Sequence, residues 1–203
     1  MSENDSRQLI LNAAEKLFYT KGYESTSMSR IQKETGLARG TLYYYFASKE
    51  EILDEVIARQ GEQIFSRAEE ISQDSSVKVE DRLLNTLLAI KVSSDSTNFQ
   101  LDDLHSPRNV LLHKKINDYI VERATPFLTD IVKEGIASGI FTSEFPQEAV
   151  EMILIYVNSA FDHSKKYSEM DLMHKFMAMS FNIHRLLGAE QGSLDFGRIL
   201  ADA

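Results

Sequence analysis

The chain has 203 residues, 43% of them hydrophobic, and a formal net charge of −9. That is enough apolar material for one or two domains with a real core. It contains no cysteine, which excludes disulfides, thiolate metal sites and cysteine nucleophiles, and its net acidity argues against a general coat for nucleic acid.

The N-terminal run M-S-E-N-D-S-R is polar and does not read as a signal peptide. No apolar run approaches the roughly 20 residues of a membrane span. A cytoplasmic protein with no membrane partner is expected. The charge is unevenly spread: residues 1–50 carry seven Lys or Arg against six Asp or Glu, and the remainder fifteen against twenty-five. An acidic body turned away from a near-neutral head would limit non-specific sticking to a polyanion.

A first helix is expected over 6–21. Leu9, Ile10, Ala13, Ala14, Leu17 and Phe18 make one stripe, Asp5 or Ser6 caps its start, and Gly22 ends it. Thr26 and Ser27 are cap candidates for a short second helix anchored by Ile31. Such a helix start also suits a DNA phosphate. Thr35-Gly36-Leu37 reads as a tight turn, with Gly36 in the left-handed conformation and Leu37 plugging the angle between helices.

The next helix is expected over about 38–46. Ala38, Leu42 and Phe46 recur at i, i+4, i+8 and face inward. The opposite face carries Arg39, Gly40, Thr41, Tyr43 and Tyr44. It holds one cation, one residue without a side chain, one hydroxyl, two phenols and no carboxylate. Such a face suits the major groove of DNA. Arg39 can donate to a guanine edge or a phosphate, Gly40 permits close backbone approach, and the hydroxyl and phenols can reach phosphates or a thymine methyl. The geometry is that of a helix-turn-helix.

Ser48 and Glu51 form a capping box at the start of a fourth helix reaching about residue 71. Lys49 lies in its first turn, where the helix dipole disfavours a cation. An external anion such as a DNA phosphate would explain it. Residues 72–76 read as a linker, 79–92 as a helix and 93–98 as a polar loop. In 99–113, aromatics, carboxylates and imidazoles mix around Pro107. A helix is expected from there to about Thr125, and Pro126 opens a separate one ending at Gly139. Two strongly apolar helices follow, over 146–163 and 171–187. Met173, Met177, Ser180 and His184 lie on a second face of the latter. The tail 188–203 holds a short helix over 196–201.

The run G-Y-E-S-T-S-M-S-R-I, continued by G-L-A-R-G-T-L-Y-Y-Y-F-A-S-K-E-E-I-L, resembles the DNA-binding signature of the TetR (tetracycline-repressor-type) transcriptional regulators, over about residues 6–57. Two positions depart from the usual pattern: Ala38 stands where Ser or Thr is common, and Gln32 where Ala is. The resemblance implies an all-α protein with an N-terminal three-helix helix-turn-helix domain, residues 1–50. A C-terminal helical bundle, residues 51–203, would bind an effector and dimerise. It implies a regulator, a repressor by default, that grips a double-stranded palindromic operator and is released by a small-molecule effector. The alternative is a ligand-independent DNA-binding protein whose body only dimerises or binds a partner protein.

The DNA-contacting set is then Thr26, Ser27, Arg39, Gly40, Thr41, Tyr43, Tyr44 and Lys49. The homodimer interface would be built from the two apolar helices, through Val150, Ile153, Leu154, Val157, Phe161, Phe176, Met179 and Ile183. Effector-lining candidates are Phe99, His105, His113, Tyr119, Phe127, Tyr156, Phe161 and Phe176, because aromatics and imidazoles suit an apolar ligand with a polar end. Asp102, Asp103, His105 and His113 match no strong metal motif, so no metal or cofactor is expected. There is no phosphate-cradling glycine loop, no H-E-x-x-H and no G-x-S-x-G, and no enzyme is expected.

Overall fold

The structure, a computed structural model, describes residues 3–96, 110–160 and 167–196. It has the expected all-α fold, with eight helices and no strand among the described residues. They are α1 (Glu3–Lys21), α2 (Met28–Thr35), α3 (Arg39–Tyr45), α4 (Lys49–Ser72), α5 (Val79–Ser96), α6 (Val110–Ala137), α7 (Pro146–Ala160) and α8 (Glu169–Leu187). No helix among the described residues is long and apolar enough to cross a membrane.

The chain divides into two compact units. One takes the described parts of Met1–Glu62 and Asp95–Tyr119; the other takes those of Gln63–Ser94 and Ile120–Ala203. A boundary at residue 50 follows the motif. The packing instead gives the first unit the opening turns of both α4 and α6.

The first unit is built on one apolar cluster. Ile10, Leu11, Ala14, Leu17 and Phe18 of α1 meet Ile31, Leu42, Phe46, Ile52, Leu53, Val56, Ile57 and, from α6, Leu112. Leu11 joins this core, while Leu9 stands exposed, because the buried stripe is rotated by part of a turn from the expected one. α1 begins at Glu3, so Asp5 and Ser6 lie inside its first turn and do not cap it. Gly22 closes the helix in the left-handed conformation, its N–H donating to the Phe18 carbonyl at 3.0 Å.

Polar bonds lace α1 to α4. Arg59 donates to Gln8 (3.0 Å), Asn12 (2.8 Å) and the Glu15 carboxylate. Gln60 also donates to Glu15 and accepts from the Tyr19 hydroxyl at 3.2 Å. Lys115 of α6 holds Glu50 (3.0 Å) and Asp54 (2.7 Å) of α4. These two carboxylates raise the Lys115 ammonium above its ordinary value, Asp54 contributing most through its hydrogen bond.

In the second unit, Phe65 of α4 meets Phe127 of α6 edge-on at 6.1 Å. Leu83, Leu84 and Ile90 of α5 and Leu128, Ile131 and Val132 of α6 are buried with it. The break expected at Pro126 does not occur. α6 runs through it as one helix of 28 residues. The proline lacks the N–H that would meet the Glu122 carbonyl, yet Ala124 and Leu128 on either side are fully buried, and their packing keeps the helix together. Thr125 turns its hydroxyl back to the Val121 carbonyl at 2.7 Å. α5 runs on to Ser96, into the stretch expected as a polar loop.

His184 of α8 is buried and pins the chain beyond the helix. Its Nδ1 bonds the Ser180 carbonyl at 2.7 Å, and its Nε2 accepts the N–H groups of Gly192 (3.1 Å) and Leu194 (3.2 Å). The short helix expected over 196–201 falls outside the described residues after Phe196.

Candidate nucleic-acid interface

α2, the turn and α3 hold their shape by local chemistry. Ser27 is the N-cap of α2, its Oγ accepting the Arg30 N–H at 3.2 Å. Gly36 ends α2 at φ +69°, where a side chain would be strained, and its N–H reaches the Gln32 carbonyl at 3.0 Å. The unusual Gln32 has a use here: its side-chain amide donates to the Leu37 carbonyl at 3.0 Å and braces the turn. Leu37 packs half-buried against the core, as expected of a plug.

α3 then presents two faces. Leu42 and Phe46 are sealed inside. Ala38 is exposed and serves as the N-cap with no side-chain bond, so it is not part of the inward face. Outward stand Arg39, Gly40, Tyr43 and Tyr44, with Thr41 half-buried beside them. Tyr44 is 73% exposed and Tyr43 44%, values high enough to leave the phenols accessible to a partner. The Arg39 guanidinium lies 5.5 Å from the Tyr43 ring centroid, a cation–π contact that steadies it at the surface. No acidic residue lies in α3.

Two members of the expected set are engaged internally. Thr26 is 1% exposed, and its hydroxyl donates to the Gly22 carbonyl at 2.9 Å. It neither caps α2 nor faces solvent, and the capping role falls to Ser27 alone. Lys49 donates to the Tyr23 carbonyl at 2.8 Å and sits 4.0 Å from the Tyr23 ring centroid. The cation in the first turn of α4 therefore has an anchor within the chain, and an external anion is not needed to explain it. The capping box is present: Ser48 accepts the Glu51 N–H at 3.1 Å, and Glu51 reaches back to the Ala47 N–H at 2.7 Å. On the flank of the head, Lys16 bonds Glu34 at 2.7 Å and holds that carboxyl below its ordinary value.

Most of the residues expected at a dimer interface are packed inside the single chain. Val150, Ile153 and Leu154 of α7 and Phe176, Met179 and Ile183 of α8 are buried in the protomer's own core; Val157 is half-buried. Phe161 lies outside the described residues. The two helices carry a second apolar stripe, which is exposed. It comprises Met152, Ile155 and Tyr156 on α7 and Met170, Met173, Met177 and Phe181 on α8. Met173 and Met177 were visible in the sequence as a second face; the stripe on α7 was missed, because the stronger buried stripe masked it.

The described effector candidates are divided between the two units. His113 and Tyr119 belong to the first unit; Phe127, Tyr156 and Phe176 belong to the second. Tyr156 is exposed and Phe176 sealed in the core. Phe99 and His105 lie outside the described residues. A pocket of about 430 Å³ in the second unit is lined instead by Thr125, Pro126, Thr129, Lys133, Gln147 and Glu151, among others. No group of three His, Asp or Glu able to hold a metal ion occurs among the described residues.

Comparison with known proteins agrees with this geometry. Residues 10–56 match the family model described as bacterial regulatory proteins, tetR family, and residues 91–181 match a tetracyclin repressor-like C-terminal domain. The HTH-type transcriptional regulator YhgD of Bacillus subtilis is 25% identical, covering 82% of this chain and 88% of its own. The fatty acid metabolism regulator protein of the same organism is 31% identical, covering 64% of this chain and 68% of its own. Among solved structures, the fatty acid degradation regulator FadR of Bacillus halodurans superposes with a TM-score of 0.56 at 24% identity, over 89% of this chain and 93% of that one. RolR in complex with resorcinol does so at 0.60 and 14%, over 95% and 92%. At these identities the two superpositions speak to the fold alone.

Proposed function

The chain belongs to the tetR family of bacterial regulatory proteins, DNA-binding transcriptional regulators of the helix-turn-helix type, and from that premise we propose that it is a ligand-responsive repressor acting on a palindromic operator as a homodimer. The outer face of α3 carries the reading. Arg39, Gly40, Thr41, Tyr43 and Tyr44 stand on one side of a helix held by Leu42 and Phe46, with no carboxylate to repel a phosphate. Arg39 reads a base edge, and Tyr43, Tyr44 and Ser27 position the backbone. A twin helix enters the major groove about 34 Å away, one turn of the duplex.

The exposed stripes of α7 and α8 support pairing with a second copy. Seven large apolar side chains left in water on two neighbouring helices are a surface that association would cover.

Release by an effector rests on kinship. One relative is named for fatty acid metabolism, and one fold neighbour was solved with resorcinol. We propose an apolar small molecule with a polar end. A coupling of about 1–3 kcal/mol between it and DNA suffices to lower occupancy from several-fold to a hundredfold. One observation favours the second reading, a body that only pairs: Phe176, an effector candidate, is sealed in the core, and Tyr156, another, is exposed.

The test is selection of bound duplexes from random DNA by the full-length chain, followed by mapping of the selected site across the genome of the source organism. A palindrome with two equal half-sites is expected. Arg39→Ala should relax preference at one base pair per half-site, at a cost of about 1–3 kcal/mol. Enrichment of no duplex, or an Arg39→Ala variant with unchanged base preference, would overturn the reading.

A further inference from the structure

We propose that Met152, Met170, Met173 and Met177 form a modification site, at which oxidation by a peroxide to methionine sulfoxide keeps two copies of this chain from pairing. The proposal rests on the reading of a homodimer paired through α7 and α8.

The chain has seven methionines and no cysteine, so thioethers are the only sulfur it offers to a two-electron oxidant. They are not scattered. Met170, Met173 and Met177 recur with Phe181 along one exposed face of α8. Met152 stands exposed with Ile155 and Tyr156 on α7, which packs against α8. Four of the seven thus share one surface. Their exposure runs from 52% at Met173 to 80% at Met170, whereas Met179, two residues from Met177, is at 3%. Met28 is half-buried against the core of the first unit. Access alone therefore separates the stripe from the other described methionines.

The step balances with the peroxide as the only oxidant. The thioether sulfur attacks one oxygen of hydrogen peroxide, the O–O bond breaks and an S–O bond forms. The other oxygen leaves as water, taking the proton of the first. Sulfur loses two electrons, and the peroxide gains them.

Methionine suits both states of such a surface. Reduced, its flexible and polarizable chain packs readily against another apolar face. Oxidised, it carries a polar S–O group that a dry interface leaves unbonded. Twofold symmetry brings every sulfoxide into the interface twice. Each such group buried without a partner is worth roughly tenfold in the dissociation constant, so a few are enough to part the pair. Pairing shelters the stripe, so the oxidant acts on the separated protomer and holds it apart.

The experiment treats the full-length chain with hydrogen peroxide, maps sulfoxides by peptide mass spectrometry and follows pairing by sedimentation. Sulfoxide should form at the four stripe positions before Met28 and Met179, and more slowly as chain concentration rises through the pairing range. The dissociation constant should rise by about a hundredfold or more while helicity is kept. A methionine sulfoxide reductase should reverse the rise. In a chain carrying Met152→Leu, Met170→Leu, Met173→Leu and Met177→Leu, the difference between treated and untreated samples should vanish. A wild-type chain that bears the four sulfoxides and pairs as before would overturn the proposal. So would a loss of pairing that the reductase does not reverse or that the leucine chain shares. If the leucine chain does not fold, the reductase result decides alone. An untreated chain that sediments as a monomer at every concentration defeats the homodimer reading itself, an outcome distinct from these.

Discussion

Lys49 shows how a single side chain changes meaning once its partners are known. In sequence it is a cation at the wrong end of a helix dipole, which invites an external phosphate. In the fold its ammonium is taken by the Tyr23 carbonyl and ring. Lys49→Met keeps the stem and removes both contacts. It should lower stability by about 1 kcal/mol, weaken all duplexes alike and leave the salt dependence of binding unchanged. Thermal melts and binding across a salt series check this. A slope flattened by about one unit with an unchanged melt would return Lys49 to the phosphate.

Tyr19 makes a second test at this scale. Burial holds its phenol well above the ordinary 10.0, against a smaller opposing effect from the Gln60 hydrogen bond. A group whose folded value is raised contributes stability that is complete below its unfolded value and is lost as pH climbs toward the folded one. Stability should therefore fall above about pH 10, and Tyr19→Phe should blunt the fall. Urea midpoints near pH 8 and near pH 11 for both proteins decide it; parallel losses would assign the alkaline limb to other groups.

Among the elements, those with local causes were legible in the sequence. Ile31, Gly36, Leu42 and Phe46 declare α2, the turn and α3 within sixteen residues, and the structure agrees with each. Long-range partners were not legible. Lys49 meets Tyr23 from 26 positions away and Arg59 meets Glu15 from 44, and no periodicity announces either. Gly61 in α4 and Gly135 in α6 were overlooked local signals: each is a glycine inside a helical pattern, and a Cβ there would meet the ring of Tyr119 or Phe141.

The helices expected to pair pose a different difficulty. α7 and α8 each carry two apolar stripes, and sequence alone does not say which one the protomer keeps. The structure separates their consequences. Met177→Glu with Phe181→Glu should leave helicity and melting nearly intact and shift the protein to monomer in sedimentation. Leu154→Ala, in the core, should cost about 2–5 kcal/mol of stability. A double glutamate variant that still sediments as a dimer would remove this stripe from the interface.

For the whole molecule, the division into units matters more than the motif boundary. The helix-turn-helix does not end where its signature does. It incorporates the opening turns of α4 and α6 through Lys115, Glu50, Asp54 and Leu112. The acidic excess lies beyond residue 50, where it would lower general attraction to DNA.

The uninterrupted course of α6 past Pro126 has a mechanical side. Two helices hinged at a proline would behave as a compliant joint, soaking up strain at the bend. The 28 residues of α6 instead form one helix. Hinging it at Pro126 would draw Ala124 and Leu128, both sealed, out of their packing.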